Sequence, residues 1–192
     1  MFDLLKYNSQ AKYLIWDVET CHLGLALEDN LPWQLGLVLA QGKQIKEVQN
    51  HYIKWDKLSI SKGAALVTRF DRNIYEKEAK ENQSILELLE SYLYNPEYYV
   101  IFQNGLAFDC FIHTIWRKHF NKKHDYCYFN RCFDTKALSA AYKLGVKELP
   151  KKDRLIFQYK YLSYVKKGFK TSLSTMGKEF KIDVDYDKLH VG

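Results

Sequence analysis

No stretch of this 192-residue chain approaches the ~20 consecutive apolar residues that a membrane-spanning helix needs, so the sequence gives no sign of contact with a membrane. The opening Met1-Phe2-Asp3-Leu4-Leu5-Lys6 has no long apolar core behind a basic start, which argues against a Sec-type signal. Cysteine is scarce: Cys21, Cys110, Cys127 and Cys132 are too few to suggest a disulfide framework in a chain of this size. They read as free thiols, and the expected setting is the reducing, intracellular environment of the cytoplasm. Cys127 and Cys132 with His124 do not have the spacing of a common structural zinc site. Gly-x-x-x-x-Gly-Lys and Gly-x-Gly-x-x-Gly loops are absent, which weakens a nucleotide-binding reading built on a phosphate loop. With no repeat, low-complexity tract or linker, residues 1–192 read as a single domain.

What is present can build a core. Apolar residues make up 47% and aromatic residues 16% of the chain, which excludes a disordered polymer. The net charge of +6 is unevenly spread. From Lys143 to Lys181 there are eleven Lys and Arg against three acids, so this stretch carries +8 and the remainder −2. A local basic surface suits a polyanion, and a solvated helix face would read the same way.

Two carboxylates stand two residues apart in Leu14-Ile15-Trp16-Asp17-Val18-Glu19-Thr20. On a β-strand Asp17 and Glu19 point to one face and Val18 to the other. Like charges held close favour a proton or a cation between them, and hard divalent ions take oxygen ligands. A second apolar run, Tyr98 to Phe102, leads through the turn Asn104-Gly105 to Phe108-Asp109 at the start of a helical pattern. A third element, Asp185-Tyr186-Asp187-Lys188-Leu189-His190, opens like a helix and carries a histidine.

These three stretches together resemble the DEDD 3′-to-5′ exonucleases, in the branch with a catalytic histidine that includes the proofreading subunit of bacterial replicative polymerase, ribonuclease T and oligoribonuclease. The resemblance runs from Tyr13 to Gly192. It implies an α/β, ribonuclease H-like fold, a five-stranded mixed sheet flanked by helices. It also implies two Mg2+ or Mn2+ ions held by Asp17, Glu19 and Asp109, with His190 activating the attacking water. Thr20, Asn104 and Phe108 would meet the substrate, the 3′ end of single-stranded DNA or RNA, and a polymerase or other replication protein would be a partner. In the family a fourth acid follows the histidine by five residues, whereas this sequence stops at Gly192. The expectation is a final helix lacking its end, weaker metal binding and little activity in this form, with Asp187 the nearest substitute ligand. The alternative is a catalytically impaired module that binds nucleic acid or a polymerase partner.

The remaining pattern fills in the architecture. Strands are predicted at 12–16, 33–40, 45–53, 98–102 and 127–133, with helices at 82–93, at 109–120 and from Asp134, an N-cap, onward. Ser59 or Ser61 caps something within the mixed stretch 57–72, and Thr171-Ser172 starts a further helix. Phe157, Tyr159, Tyr161 and Tyr164 interleave with Lys160, Lys166 and Lys167. Rings that stack on bases beside ammonium groups that meet phosphates suit a single strand. An amphipathic helix packing its rings on the core fits the same residues.

Overall fold

The first strand is longer than its apolar run. In the computed structural model, which describes residues 8–22, 24–25, 30–150 and 152–183, β1 spans Lys12–Thr20 and carries both acids within it. It lies at the centre of a five-stranded sheet ordered β3-β2-β1-β4-β5. β2 (Pro32–Gln41) and β3 (Gln44–Tyr52) pair antiparallel, and β1 and β2 do likewise. β4 (Tyr98–Phe102) and β5 (Cys132–Asp134) run parallel to β1. The β1–β2 register slips between Glu19 and Thr20, next to Pro32, which has no N–H to give the ladder.

Alternation along β1 separates a core face from a site face. Leu14, Trp16 and Val18 are buried with Leu35, Leu37, Val100 and Phe102. Two amphipathic helices, α3 (Asn82–Leu93) and α4 (Asp109–His119), add Leu86, Leu89, Leu93, Ile112 and Trp116 to the same cluster. Burying a side chain such as Leu contributes about 1.5–3 kcal/mol, so this face dominates stability. Glu90 ties the two helices together: it pairs with Arg117, with Lys122 at 3.2 Å and with the His113 ring at 3.4 Å. Burial opposes its charge, yet the nearby His113 ring, the hydrogen bond from Lys122 and the Arg117 charge bring its carboxyl down to about 2.

Shorter elements follow local capping chemistry. Ser61 accepts the Ala64 N–H at the start of α1 (Lys62–Thr68), a helix that the mixed composition of 57–72 concealed, and Asp71 caps α2 (Arg72–Glu78). Asp134 caps α5 (Thr135–Lys143), and Ser172 caps α7 (Leu173–Glu179). α6 (Arg154–Leu162) lies between them and packs against α5. The strand predicted at 127–133 is corrected: Phe129–Arg131 forms a single 3-10 turn, and only Cys132–Asp134 joins the sheet. Tyr128 is fully buried there with its hydroxyl 3.2 Å from His113 Nδ1, so the aromatic run serves core packing instead of pairing.

Gly105 sits where no side chain fits. A Cβ there would lie 2.3 Å from Phe102 Cγ and 2.6 Å from its Cδ2. Gly105→Ala should therefore lose about 1–3 kcal/mol, as overpacking does. Urea denaturation should show a lower midpoint with an unchanged slope. A wild-type midpoint would mean that Phe102 moves aside without cost.

Candidate active site

β1 and β4 are parallel, so their carboxyl ends open at the same edge of the sheet, the usual place for a site in such folds. Their paired register ends at Ile15 and Ile101, and β1 continues beyond it. The Val18 N–H, released from the ladder, donates to Asp109 Oδ1 at 3.1 Å. One hydrogen bond thus stitches the first turn of α4 to the backbone midway between Asp17 and Glu19.

Asp17, Glu19, Thr20, Asn104, Phe108 and Asp109 all line one cavity of about 820 Å3. Ile15 and Ile101 contribute apolar wall, α1 adds Val67 and Thr68, and the start of α7 adds Ser172, Leu173 and Ser174. Six of the residues predicted for the site are therefore brought together. Lys160, Lys166 and Lys167 are exposed and are not among the lining residues. His190, Asp185 and Asp187 lie outside the described residues.

The electrostatics are those of crowded acids. Burial and the neighbouring Asp17 push the Glu19 carboxyl up to about 7. Asp109 is buried and its carboxyl is raised well above the usual range, by burial first and then by Asp17, with Asp134 adding to it. Asp17 therefore acts on both other carboxylates. Such a cluster favours a hard cation, because oxygen donors and excess negative charge are what Mg2+ and Mn2+ take. Among the described residues, no three His, Cys, Asp or Glu side chains already close on a common point as a metal cage. The fit is that of donor type and charge, with Asp109 turned to the Val18 backbone.

Asp134 holds this arrangement from behind. Besides capping α5 through the Lys136 and Ala137 N–H groups, its carboxylate accepts from Asn104 N at 3.0 Å and Leu106 N at 3.1 Å. Asn104 takes a left-handed backbone, φ 64, which that bond supports. The Asp134 N–H donates to Gln158 Oε1 at 2.6 Å, and the Tyr159 hydroxyl donates to the Leu106 carbonyl. The capping role of Asp134 was legible in the sequence; its grip on the second motif's turn was not, because a cap predicts bonds within one helix only.

Neither a protein-family model nor a curated protein sequence matches the chain. Solved structures do. The ExoI/SSB-Ct complex superposes with a TM-score of 0.60 and 20% identity, covering 75% of this chain and 33% of the other. E. coli exonuclease I in complex with a dT13 oligonucleotide gives 0.60 and 19%, with coverages of 75% and 32%. The zinc ion bound form of the E. coli ExoI-ssDNA complex gives 0.59 and 20%, covering 71% and 31%. The chain has the fold of exonuclease I. It spans about a third of the length of those exonuclease I chains. The expected ribonuclease H-like α/β class, a five-stranded mixed sheet flanked by helices, is thus the class observed, and β1 lies at its centre.

Sequence reasoning passed over several contributors to the cavity, among them His22, Lys136 and residues at the start of α7. His22 and the α7 residues follow no motif of their own. Lys136 follows Asp134-Thr135 directly, and its position two residues into a capped helix was the available signal. Its Nζ donates to Asn104 Oδ1 at 3.0 Å.

Proposed function

We propose that the chain is a single exonuclease-like domain that hydrolyses phosphodiesters at the 3′ end of single-stranded nucleic acid in the manner of the DEDD branch with a catalytic histidine. The observation that carries this is the bond from Val18 N–H to Asp109, which places a third acid beside Asp17 and Glu19 in one cavity. Two divalent ions, Mg2+ or Mn2+, held by these three residues would lower the pKa of the attacking water and stabilise the departing 3′ oxygen. Asp17, the acid that acts on both others, would be shared between the ions, and Glu19, on the same strand face, would serve one ion near the terminal 3′ hydroxyl. Thr20 and Asn104 offer polar contacts and Phe108 a ring to the last nucleotides. His190 takes the proton from water, a task for which an imidazole near neutral pH is suited. A replication protein or polymerase would deliver the strand, and the setting is the cytoplasm.

The test is release of mononucleotide from a labelled single strand with Mg2+, with Mn2+ and with EDTA, on DNA and on RNA. Slow digestion from the 3′ end that EDTA stops is expected. The second reading, an impaired module that binds without cutting, draws on the lack of a closed acid cage among the described residues. Strand binding with no release in either metal would select it.

Lys160, Lys166 and Lys167 are exposed, whereas Tyr159 is held to the Leu106 carbonyl and Phe157 packs on Tyr161. The rings of α6 are thus partly used in packing, and the ammonium groups are open to a strand's backbone. Reversing the three charges should weaken strand binding and lower the salt slope by about 0.7 for each phosphate that is no longer neutralised. An unchanged slope in a salt titration would return this stretch to a solvated face.

A further inference from the structure

Lys136 is unusual in where it stands and in what it lacks. Among the described residues that line the cavity it is the one lysine or arginine, in a wall that also carries Asp17, Glu19 and Asp109. A lysine beside three acids would be expected to pair with one of them. Among the described residues no carboxylate lies within ion-pair distance of its Nζ, which donates instead to the neutral Asn104 Oδ1 at 3.0 Å. The influences on Glu19 are burial and Asp17, and on Asp109 burial, Asp17, two backbone N–H groups and Asp134. Lys136 is thus not the counter-ion of Glu19 or Asp109.

Its side chain is nonetheless fixed. Asn104 is held through its backbone N–H by Asp134 and stands in the left-handed region, so its Oδ1 is a preset acceptor. Lys136 is half-buried and its own N–H also goes to Asp134. An ammonium has three donors, and Asn104 uses one, leaving two for a ligand in the cavity. A long, flexible cation tethered in this way has already given up much of the freedom that binding would otherwise remove. It lies on β5–α5, away from the β1 acids in the chain.

We infer that Lys136, oriented by Asn104, binds a backbone phosphate of the single strand adjoining the one that is cut. This rests on the exonuclease reading for its substrate but not for its test, which needs no cleavage. A compact ammonium with free donors matches a non-bridging phosphate oxygen, and a charge-assisted bond of this kind is worth about tenfold or more in affinity.

The experiment is fluorescence anisotropy of a 5′-labelled oligothymidylate with the full chain in EDTA, so that no strand is cut. Lys136→Gln should raise Kd about tenfold and lower the salt slope by about 0.7, while Lys136→Arg keeps the slope. A single methylphosphonate, moved linkage by linkage from the 3′ end, should weaken wild-type binding about tenfold at one position. The same linkage should cost Lys136→Gln nothing further, the signature of a shared interaction. Equal slopes for wild type and Lys136→Gln, or a methylphosphonate profile that the variant leaves unchanged, would overturn the inference. So would a wild-type chain that does not bind the strand. If Lys136→Gln does not fold, the scan on wild type decides: no sensitive linkage near the 3′ end overturns it. Binding through Lys136 with no digestion in Mg2+ or Mn2+ would remove the exonuclease reading and leave this phosphate site standing. Digestion unaffected by Lys136→Gln, with equal slopes, would do the reverse.

Discussion

Asp109→Asn should give a metal-free protein that melts at a higher temperature and releases no nucleotide. The asparagine keeps the Oδ1 that accepts the Val18 N–H and has nearly the same shape, so the stitch between α4 and β1 survives. What disappears is a carboxylate 2% exposed that stands near Asp17. At neutral pH the unfolded chain holds this group ionised in water. Folding must either bury the charge or take up a proton, and both cost free energy. Relief of about 1–2 kcal/mol is expected, or about 2–8 °C in Tm for a domain of this size. Activity should fall by at least about 100-fold, since even outer partners of a metal site cost 10- to 100-fold when removed. A lower Tm with abolished activity would make Asp109 a structural anchor. Retained activity would remove it from the metal site.

The second large effect is a loss of stability in the metal-free protein as pH rises from about 4.5 to about 7. Glu19 has a folded-state pKa of about 7, above its ordinary value of 4.5. The stabilisation from its neutral form is complete below about pH 4.5 and is lost as pH climbs through the folded value. One unit corresponds to about 1.4 kcal/mol. With part of the carboxyl open to water, the loss comes to about 2 kcal/mol. Asp109 is shifted in the same direction and adds to the trend. Glu90 acts oppositely but in another window, because its stabilisation, lost as pH falls through about 2, is already complete above pH 4.5. Glu19→Gln should flatten the curve between pH 4.5 and 7 in urea titrations. Mn2+ at about a hundredfold over its Kd should restore about 2.7 kcal/mol at pH 7 by binding the folded state. A flat wild-type curve, or no stabilisation by metal, would show that the acids do not oppose one another.

How much of this was written in the sequence follows from which physics is local. Alternation in β1 and β2, the strand before the Asn104-Gly105 turn and the periodicity of α3 and α4 are properties of neighbouring residues, and they placed those elements; the order of the sheet and the gathering of six residues in one cavity followed only from the resemblance to the exonucleases. The 3-10 turn at Phe129–Arg131 was misread as strand because Tyr128, Phe129 and Phe133 are strand-favouring aromatics, while the rings of Tyr126, Tyr128 and Phe129 pack on one another and Tyr128 on Tyr94. The double grip of Asp134, its link to Gln158 and the tether from Lys136 to Asn104 join residues 24 to 32 positions apart in the chain. No periodicity reports such pairings. Nor could spacing say that Asp109 would turn its carboxylate to the Val18 backbone.

The link from Gln158 through Asp134 to the Asn104 turn also sets an order in time. On a ribosome the acids of β1 emerge first and Asp109 of α4 some ninety residues later, yet the Asn104 and Leu106 N–H groups of the turn ahead of it lack their folded-state acceptor until Asp134 is made. Asp134 in turn gains the partner of its own N–H when Gln158 arrives. A nascent chain therefore carries its acids long before it can aim them, and a growing polypeptide surrounded by RNA becomes competent to engage a strand only once its later half is synthesised.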